Sequence, residues 1–197
     1  MITKQIKSDV MDLVLNEFRK AGRSAFRSRE YAALAGRKGY ARLALHRLKN
    51  KGELVLVKRG WWAFADALPD AIACEISAPA YLSFHSALYA HGLTTQIPRF
   101  VQLAVARNSK KYSVSNTDVK EYKVSRFTGF EKRDGVLLAS AEKAFADCIN
   151  VPRACSEIVL KEALPSIDTE QVRKACSGRA LARLKKVIKN AGSERLE

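Results

Sequence analysis

Residues 37–64 read RKGYARLALHRLKNKGELVLVKRGWWAF, in which a helical pattern leads directly into two short apolar runs. Apolar side chains at helical spacing predict a helix over about 39–51. The apolar runs 54–57 and 61–64 flank the tripeptide Lys58-Arg59-Gly60. Because glycine readily adopts a positive φ, this arrangement predicts a β-hairpin with a basic tip.

Two shorter patterns precede this stretch. SDVMDLVLNEFRK, residues 8–20, predicts an amphipathic helix with Ser8 as N-cap and Gly22 as its stop. A short extended piece at Phe26 leads to a second helix over 28–35. Helix, short strand, helix, helix and hairpin, in that order, are typical of a winged helix-turn-helix. The residues expected to face its core are Val10, Leu13, Val14 and Phe18 in the first helix and Ala41, Leu45 and Leu48 in the third.

The chain of 197 residues carries a formal net charge of +15, which favours a polyanionic partner over a small apolar ligand. Residues 1–66 hold 15 Lys and Arg against 6 Asp and Glu. The excess falls to +2 over 67–160 and rises to +4 over 161–197. The sequence therefore places most of the positive charge on the predicted winged helix.

A helix in the DNA major groove reads bases through side chains on its outer face and first turns. The third helix would offer several such groups, the hairpin tip would reach phosphates or a minor groove, and the start of the second helix would hold a phosphate. The predicted DNA-binding residues are Arg27, Arg29, Arg37, Lys38, Tyr40, Arg42, His46, Arg47, Lys58 and Arg59, with Leu43 beside them.

The alternative is that these cations form an ordinary solvated surface. An ordinary surface helix mixes both signs of charge, yet residues 37–51 contain six Lys and Arg and no Asp or Glu. The pattern therefore favours double-stranded DNA as the partner. RNA, or a protein partner that reuses the winged fold, remains open.

Residues 67–197 predict a second, mixed domain. A connector with a possible short strand at 71–76 precedes a helix over 81–91, three or four β-like segments over 100–138 and a helix capped by Ser140. Helices follow to the end of the chain. The expected fold class is α+β, with a winged helix-turn-helix over 1–66 and, over 67–197, a mixed α/β domain with a small antiparallel sheet and a helical C-terminal tail.

Several classes of site have no support in the sequence. None of the four cysteines forms a C-x-x-C pair, and the three histidines do not flank them at zinc-ligand spacing, so buried reduced thiols and no metal are expected. No run of about 18 apolar residues predicts a membrane span, and the charged N-terminus is unlike a signal peptide. A cytoplasmic protein without cofactor or enzymatic activity is expected.

One motif keeps an enzymatic alternative open. Glu121 and Lys123 form Glu-x-Lys in a predicted strand, an arrangement that some metal-dependent nucleases use with an upstream Asp to hold magnesium. No Pro-Asp partner precedes it, so a solvated strand face is the preferred interpretation.

Three segments carry a family resemblance: LKNKGELVLVKRGWWAF at 48–64, YLSFHSALYAHGLTTQIP at 81–98 and VLLASAEKAFADCI at 136–149. Together they resemble the AbiEi family of antitoxins and transcriptional regulators over roughly residues 10–150. The most specific string is S-A-L-x-x-H-G-L, from Ser86 to Leu93.

The resemblance implies a partner toxin of the nucleotidyltransferase type, opposed without a stable complex, in a type IV toxin–antitoxin system. It also implies that the winged helix represses the operon by binding an inverted repeat, with the second domain supplying antitoxicity and assisting DNA binding. Because one winged helix reads few base pairs, two copies on the DNA are expected. The alternative in a different class is a free-standing regulator whose second domain senses a ligand.

Overall fold

The computed structural model describes residues 2–36, 38–114, 116–133, 135–176 and 178–193, without the side chains of residues 2–10, 38, 192 and 193. The chain divides into two compact units. The first runs to Ser77 and includes Val114 and Asn116, whereas the second takes Ala78–Ser113 and the chain from Thr117 onward.

In its described residues the first unit holds four helices and a three-stranded sheet. In chain order the elements are α1 (Ile2–Lys20), β1 (Ala25–Arg27), α2 (Ser28–Leu34), α3 (Lys38–Asn50), β2 (Leu54–Lys58), β3 (Trp61–Phe64) and α4 (Pro69–Ser77). The strands lie in the order β1-β3-β2 and all pair antiparallel. Gly60, in the turn between β2 and β3, has a φ of 79°, as the hairpin prediction requires.

The core of this unit lies between the three-stranded sheet and helices α1 to α3. Phe26 of β1 stacks on Phe18 of α1, with ring centroids 4.2 Å apart. The buried members are Met11, Val14, Leu15, Phe18, Phe26, Tyr31, Ala41, Ala44, Leu45, Leu48, Leu54, Trp62 and Phe64. The predicted stripe of α3 is therefore confirmed.

In the predicted core face of α1, Val14 and Phe18 are confirmed as buried, whereas Leu13 was wrong. Leu13 is 62% exposed, and Met11 and Leu15 are buried instead. Positions 10, 13 and 14 and positions 11, 14 and 15 both fit helical spacing, so periodicity alone does not separate the two faces. The side chain of Val10 lies outside the described residues.

Helix α4 replaces the short strand expected at 71–76. Pro69 stands first in the helix and Asp70 in its first turn, and both positions favour a helix start. The Glu75 carboxylate accepts hydrogen bonds from Arg23 Nε at 2.6 Å and from the Ser24 backbone N–H at 2.7 Å. These bonds fasten α4 to the segment leading into β1, so the units divide after Ser77 rather than at the expected boundary after Asp66.

The second unit contains a six-stranded sheet and five α-helices in its described residues. The elements are β4 (Ala80–Leu82), α5 (Phe84–Ala90), β5 (Val101–Val105), β6 (Lys111–Val114), β7 (Thr117–Lys123), β8 (Phe130–Arg133), β9 (Val136–Ala139), α6 (Ala141–Asn150), α7 (Glu157–Ala163), α8 (Thr169–Ala175) and α9 (Arg179–Ser193). The strand order is β6-β7-β5-β4-β9-β8. The last three helices form the expected helical tail.

The sheet of the second unit is mixed, not antiparallel as expected. β5 pairs with β7 in parallel and β4 pairs with β9 in parallel, whereas β4–β5 and β8–β9 are antiparallel. Turn residues in a sequence mark local hairpins, but they do not reveal which distant strands pair. With helices and two sheets, the described elements form an α+β fold. Across the described residues, every helix is too short or too polar to cross a membrane.

Candidate nucleic-acid interface

Helix α3 has a buried apolar face and an exposed basic face. Its buried positions recur at i, i+3, i+4 and i+7, so the remaining positions point to solvent. The exposed face carries two guanidinium groups, an ammonium group and an imidazole, with Leu43 49% exposed among them. Its cationic and imidazole members are Arg42, His46, Arg47 and Lys49.

The cations of the first unit fall into two groups by their partners. Arg19 pairs with Asp66 at 3.0 Å, and Arg23 pairs with Glu75 at 2.6 Å, so these two groups serve the fold. The second group consists of exposed arginines that pair with no carboxylate in the described part of the chain. Its members are Arg27, Arg29, Arg42, Arg47 and Arg59. All five belong to the residues predicted to contact DNA.

Trp62 connects the elements that carry these arginines. Its side chain is buried, and its indole Nε1 donates a hydrogen bond to Ser28 Oγ of α2 at 2.9 Å. The His46 ring of α3 meets the indole edge-on, with centroids 5.9 Å apart. Strand β3 is thereby held to both helices, which fixes the hairpin relative to the exposed face of α3.

Trp61, the neighbouring residue, is half-buried and lies between two cations. The Arg27 guanidinium stands 4.8 Å from its ring centroid and the Lys58 ammonium 5.6 Å. Such cation–π contacts restrict long side chains that would otherwise be mobile. Arg27 thus belongs with the basic hairpin as much as with the start of α2.

The start of α2 differs from the expected phosphate site. The backbone N–H of Arg27, the N-cap residue, donates to Glu30 Oε2 at 2.5 Å. The glutamate of the first turn therefore occupies a donor that a phosphate would need, and its charge opposes an anion there. Arg29 is exposed, so its side chain is accessible even though the Arg27 backbone N–H is already bonded to Glu30.

Three other residues of α3 and the chain before it were predicted to contact DNA: Arg37, Lys38 and Tyr40. Tyr40 is half-buried and packs against the core of the first unit. Arg37 and the side chain of Lys38 lie outside the described residues. The exposed residues that the structure does bring onto α3 and the hairpin are Arg42, His46, Arg47, Lys58 and Arg59.

Sequence reasoning missed the residues that hold this arrangement together. Ser28 was expected as a cap for α2, but it accepts the Trp62 indole N–H. The Arg23–Glu75 pair joins residues 52 positions apart, and no local pattern marks such a contact. The sequence offers one indirect signal: Glu75 follows the apolar residues 71–74, and a charged side chain in such a position needs a partner of opposite charge.

The nuclease motif does not form one site. The buried Glu121 carboxylate binds Arg107 through its Oε1 at 3.2 Å, which gives it a guanidinium partner. Glu121 lines one cavity of the second unit and Lys123 lines another. Among the residues that can be described, no group of three His, Cys, Asp or Glu is placed to hold a metal ion.

Comparison with known proteins finds a similar fold but identifies no family for the chain. No protein-family model and no curated protein sequence matches the chain. Among solved structures, the crystal structure of the Rv2827c protein from Mycobacterium tuberculosis is similar, with a TM-score of 0.62 and 15% sequence identity. The similarity covers 93% of this chain and 78% of that one. At this identity the likeness concerns the fold alone.

Proposed function

We propose that the first unit is a winged helix-turn-helix that binds double-stranded DNA, with α3 as recognition helix and the β2–β3 hairpin as wing. The observation that supports this most is the exposed face of α3, which carries Arg42 and Arg47 without a carboxylate partner in the described residues. Arginine groups without a carboxylate partner in the protein are available to neutralise phosphates or to bind base edges with two hydrogen bonds.

The dimensions of α3 suit this role. Its 13 residues span about 20 Å at 1.5 Å per residue, and a helix with its side chains is about 10–12 Å across. The B-DNA major groove is about 12 Å wide. Arginine can bind the O6 and N7 atoms of guanine with two hydrogen bonds, and the exposed part of Leu43 can meet a thymine methyl group.

The first experiment compares arginine variants on a cognate duplex. We expect Arg42→Ala to weaken binding by about 1–3 kcal/mol and to relax preference at one base pair, as loss of a base contact does; Lys38→Ala is expected to do the same. Fluorescence anisotropy with duplexes taken upstream of the gene measures both effects. Lys20→Ala, which removes an exposed cation from α1, is the matched charge control.

A second variant separates the wing from the helix. Lys58→Ala should weaken all duplexes alike and lower the slope of log K against log salt by about one, since one phosphate contact is lost. If Lys58→Ala alters base preference and leaves the salt slope unchanged, the wing assignment is wrong. Negligible affinity for every duplex at low salt would refute DNA binding as a whole.

We infer further that the protein is a transcriptional repressor of the AbiEi type, an antitoxin that autoregulates its operon and counteracts a nucleotidyltransferase toxin without a stable complex. The resemblance of residues 48–64, 81–98 and 136–149 supports this role. Footprinting upstream of the gene should then protect an inverted repeat occupied by two copies. Co-expression with a neighbouring nucleotidyltransferase gene should restore growth, and failure to do so would remove the antitoxin role while leaving the repressor.

A free-standing, ligand-responsive regulator is the second candidate, and a cavity in the second unit favours it. We do not propose Glu121 and Lys123 as a nuclease pair, because Arg107 occupies the carboxylate and the two side chains line different cavities. Incubation of plasmid DNA with the protein and magnesium should therefore yield no cleavage.

A further inference from the structure

The second unit has a polar cavity of about 310 Å³ between the chain that follows β7 and helix α6. This volume falls at the lower end of the range for small-molecule sites, which is about 300–1,000 Å³. The charged and amide side chains that line it are Lys123, Arg126, Lys143, Asp147 and Asn150. Three cations and one carboxylate therefore face the same space.

Asp147 is fully engaged within the protein. Its carboxylate is buried and accepts hydrogen bonds from Tyr81 Oη at 3.0 Å, Ser83 Oγ at 2.8 Å and Lys143 Nζ at 2.5 Å. Three donors, one of which is the Lys143 ammonium group, compensate the carboxylate, so it has little capacity left for a cationic ligand.

The Lys143 side chain is held firmly in the cavity wall. It is 12% exposed, and its ammonium lies 5.6 Å from the Tyr81 ring centroid. Gly129 lies against its aliphatic part, because a Cβ there would come within 3.2 Å of Lys143 Cγ. An ammonium group has three donors, and Asp147 accepts from one of them.

The other two cations have no such compensation. Arg126 donates from Nη1 to the Lys174 carbonyl at 3.2 Å, a neutral acceptor. Within the described ranges, neither Arg126 nor Lys123 forms an ion pair with a carboxylate. Two uncompensated positive charges beside a polar cavity match the charge of a phosphate dianion.

From this geometry we propose that the cavity binds a small phosphomonoester, with Arg126 and Lys123 contacting the phosphate and Asn150 facing the organic part. All lining residues belong to the second unit, and nothing assigned to DNA binding depends on this site. A bare phosphate has five heavy atoms, so a cavity of this size has room for an attached body. A polar lining favours a hydrophilic body such as a sugar.

Titration calorimetry on the full chain, with ribose 5-phosphate, inorganic phosphate and ribose as probes, tests the proposal. We expect saturable binding of ribose 5-phosphate, weaker binding of inorganic phosphate and no binding of ribose. Arg126→Ala should raise the dissociation constant about tenfold or more, because a charge-assisted bond is lost. Lys123→Ala should also weaken binding, whereas Lys132→Ala, an exposed cation of β8 outside the lining, should not.

Three results would overturn the inference. The first is no saturable binding of ribose 5-phosphate up to about 10 mM, far above the dissociation constants of most specific sites. The second is equal affinity for inorganic phosphate and the ester, since the cavity would then hold no organic body. The third is weaker binding of every DNA duplex by Arg126→Ala without any added phosphate compound, which would make these cations a nucleic-acid contact. Circular dichroism of each variant confirms that it is folded.

Discussion

The Glu75 carboxylate holds α4 against the chain before β1, and Glu75→Ala tests how much this contact stabilises the first unit. The side chain of Glu75 is 16% exposed and that of Arg23 is 33% exposed. Removing the carboxylate leaves the Arg23 guanidinium and the Ser24 N–H without this acceptor. A hydrogen bond to a charged group contributes about 1.5–3 kcal/mol, and partial exposure of Arg23 reduces the sum of two such bonds. We expect a loss of about 2–3 kcal/mol.

Tryptophan fluorescence during urea unfolding measures this loss in the first unit alone. Both tryptophans of the chain, Trp61 and Trp62, lie in β3. With an m-value of about 1 kcal/mol/M, suited to a unit of this size, the urea midpoint should fall by about 2–3 M. Glu17→Ala removes the exposed pair with Lys20 and should cost only a few tenths of a kcal/mol. Equal midpoints for the two variants would refute the reasoning.

Two further substitutions and one labelling test address other buried groups. Tyr31→Phe should leave the first unit equally stable or up to about 1 kcal/mol more stable by the same fluorescence assay, because the buried hydroxyl has no hydrogen-bond partner within the described residues. Burial raises the pKa of Tyr31 to about 12, so the folded state favours the neutral phenol. The stability that this preference gives the wild-type protein is intact below pH 10 and is lost between pH 10 and 12. Over the same interval the phenylalanine variant, which has no phenol to ionise, should lose less stability. Lys143→Met should destabilise the second unit by about 3–5 kcal/mol in thermal unfolding followed by circular dichroism, because the buried Asp147 carboxylate loses its ammonium partner and keeps only the neutral donors Tyr81 and Ser83. Burial raises the pKa of Asp147, so this loss should shrink as the pH falls and the carboxylate is protonated, and a pH-independent loss would contradict the assignment. Burial also raises the pKa of the Cys148 thiol, so a thiol reagent should modify it only after unfolding; rapid labelling of the native protein would show that the site opens.

Local patterns in the sequence predicted the elements of the first unit from α1 to β3, but not α4, and they predicted the exposed face of α3. Helix spacing identified Ala41, Leu45 and Leu48 as buried, and the glycine at position 60 identified the hairpin turn. Both signals arise within a few residues, where backbone geometry and burial depend on neighbours along the chain. The basic face of α3 follows as the complement of its buried stripe.

Long-range contacts were beyond such reasoning. The parallel pairing of β5 with β7 and the bond between Glu75 and Arg23 join segments that share no local pattern. Tyr40 lies on the polar side of the predicted helix, yet its ring packs partly against the core, because a large aromatic side chain can reach around a helix edge. The cavity beside Asp147 is assembled from three separate stretches of the second unit, so only the tertiary structure brings Lys143 to Lys123 and Arg126.

The position of Glu75 also decides how the chain can be dissected. A fragment ending at Asp66, where the sequence suggested a boundary, would lose α4 and with it the acceptor of Arg23 and Ser24. A fragment ending at Ser77 keeps that acceptor and the whole of α4. A fragment meant to contain the whole first unit should therefore end eleven residues later than Asp66, at Ser77.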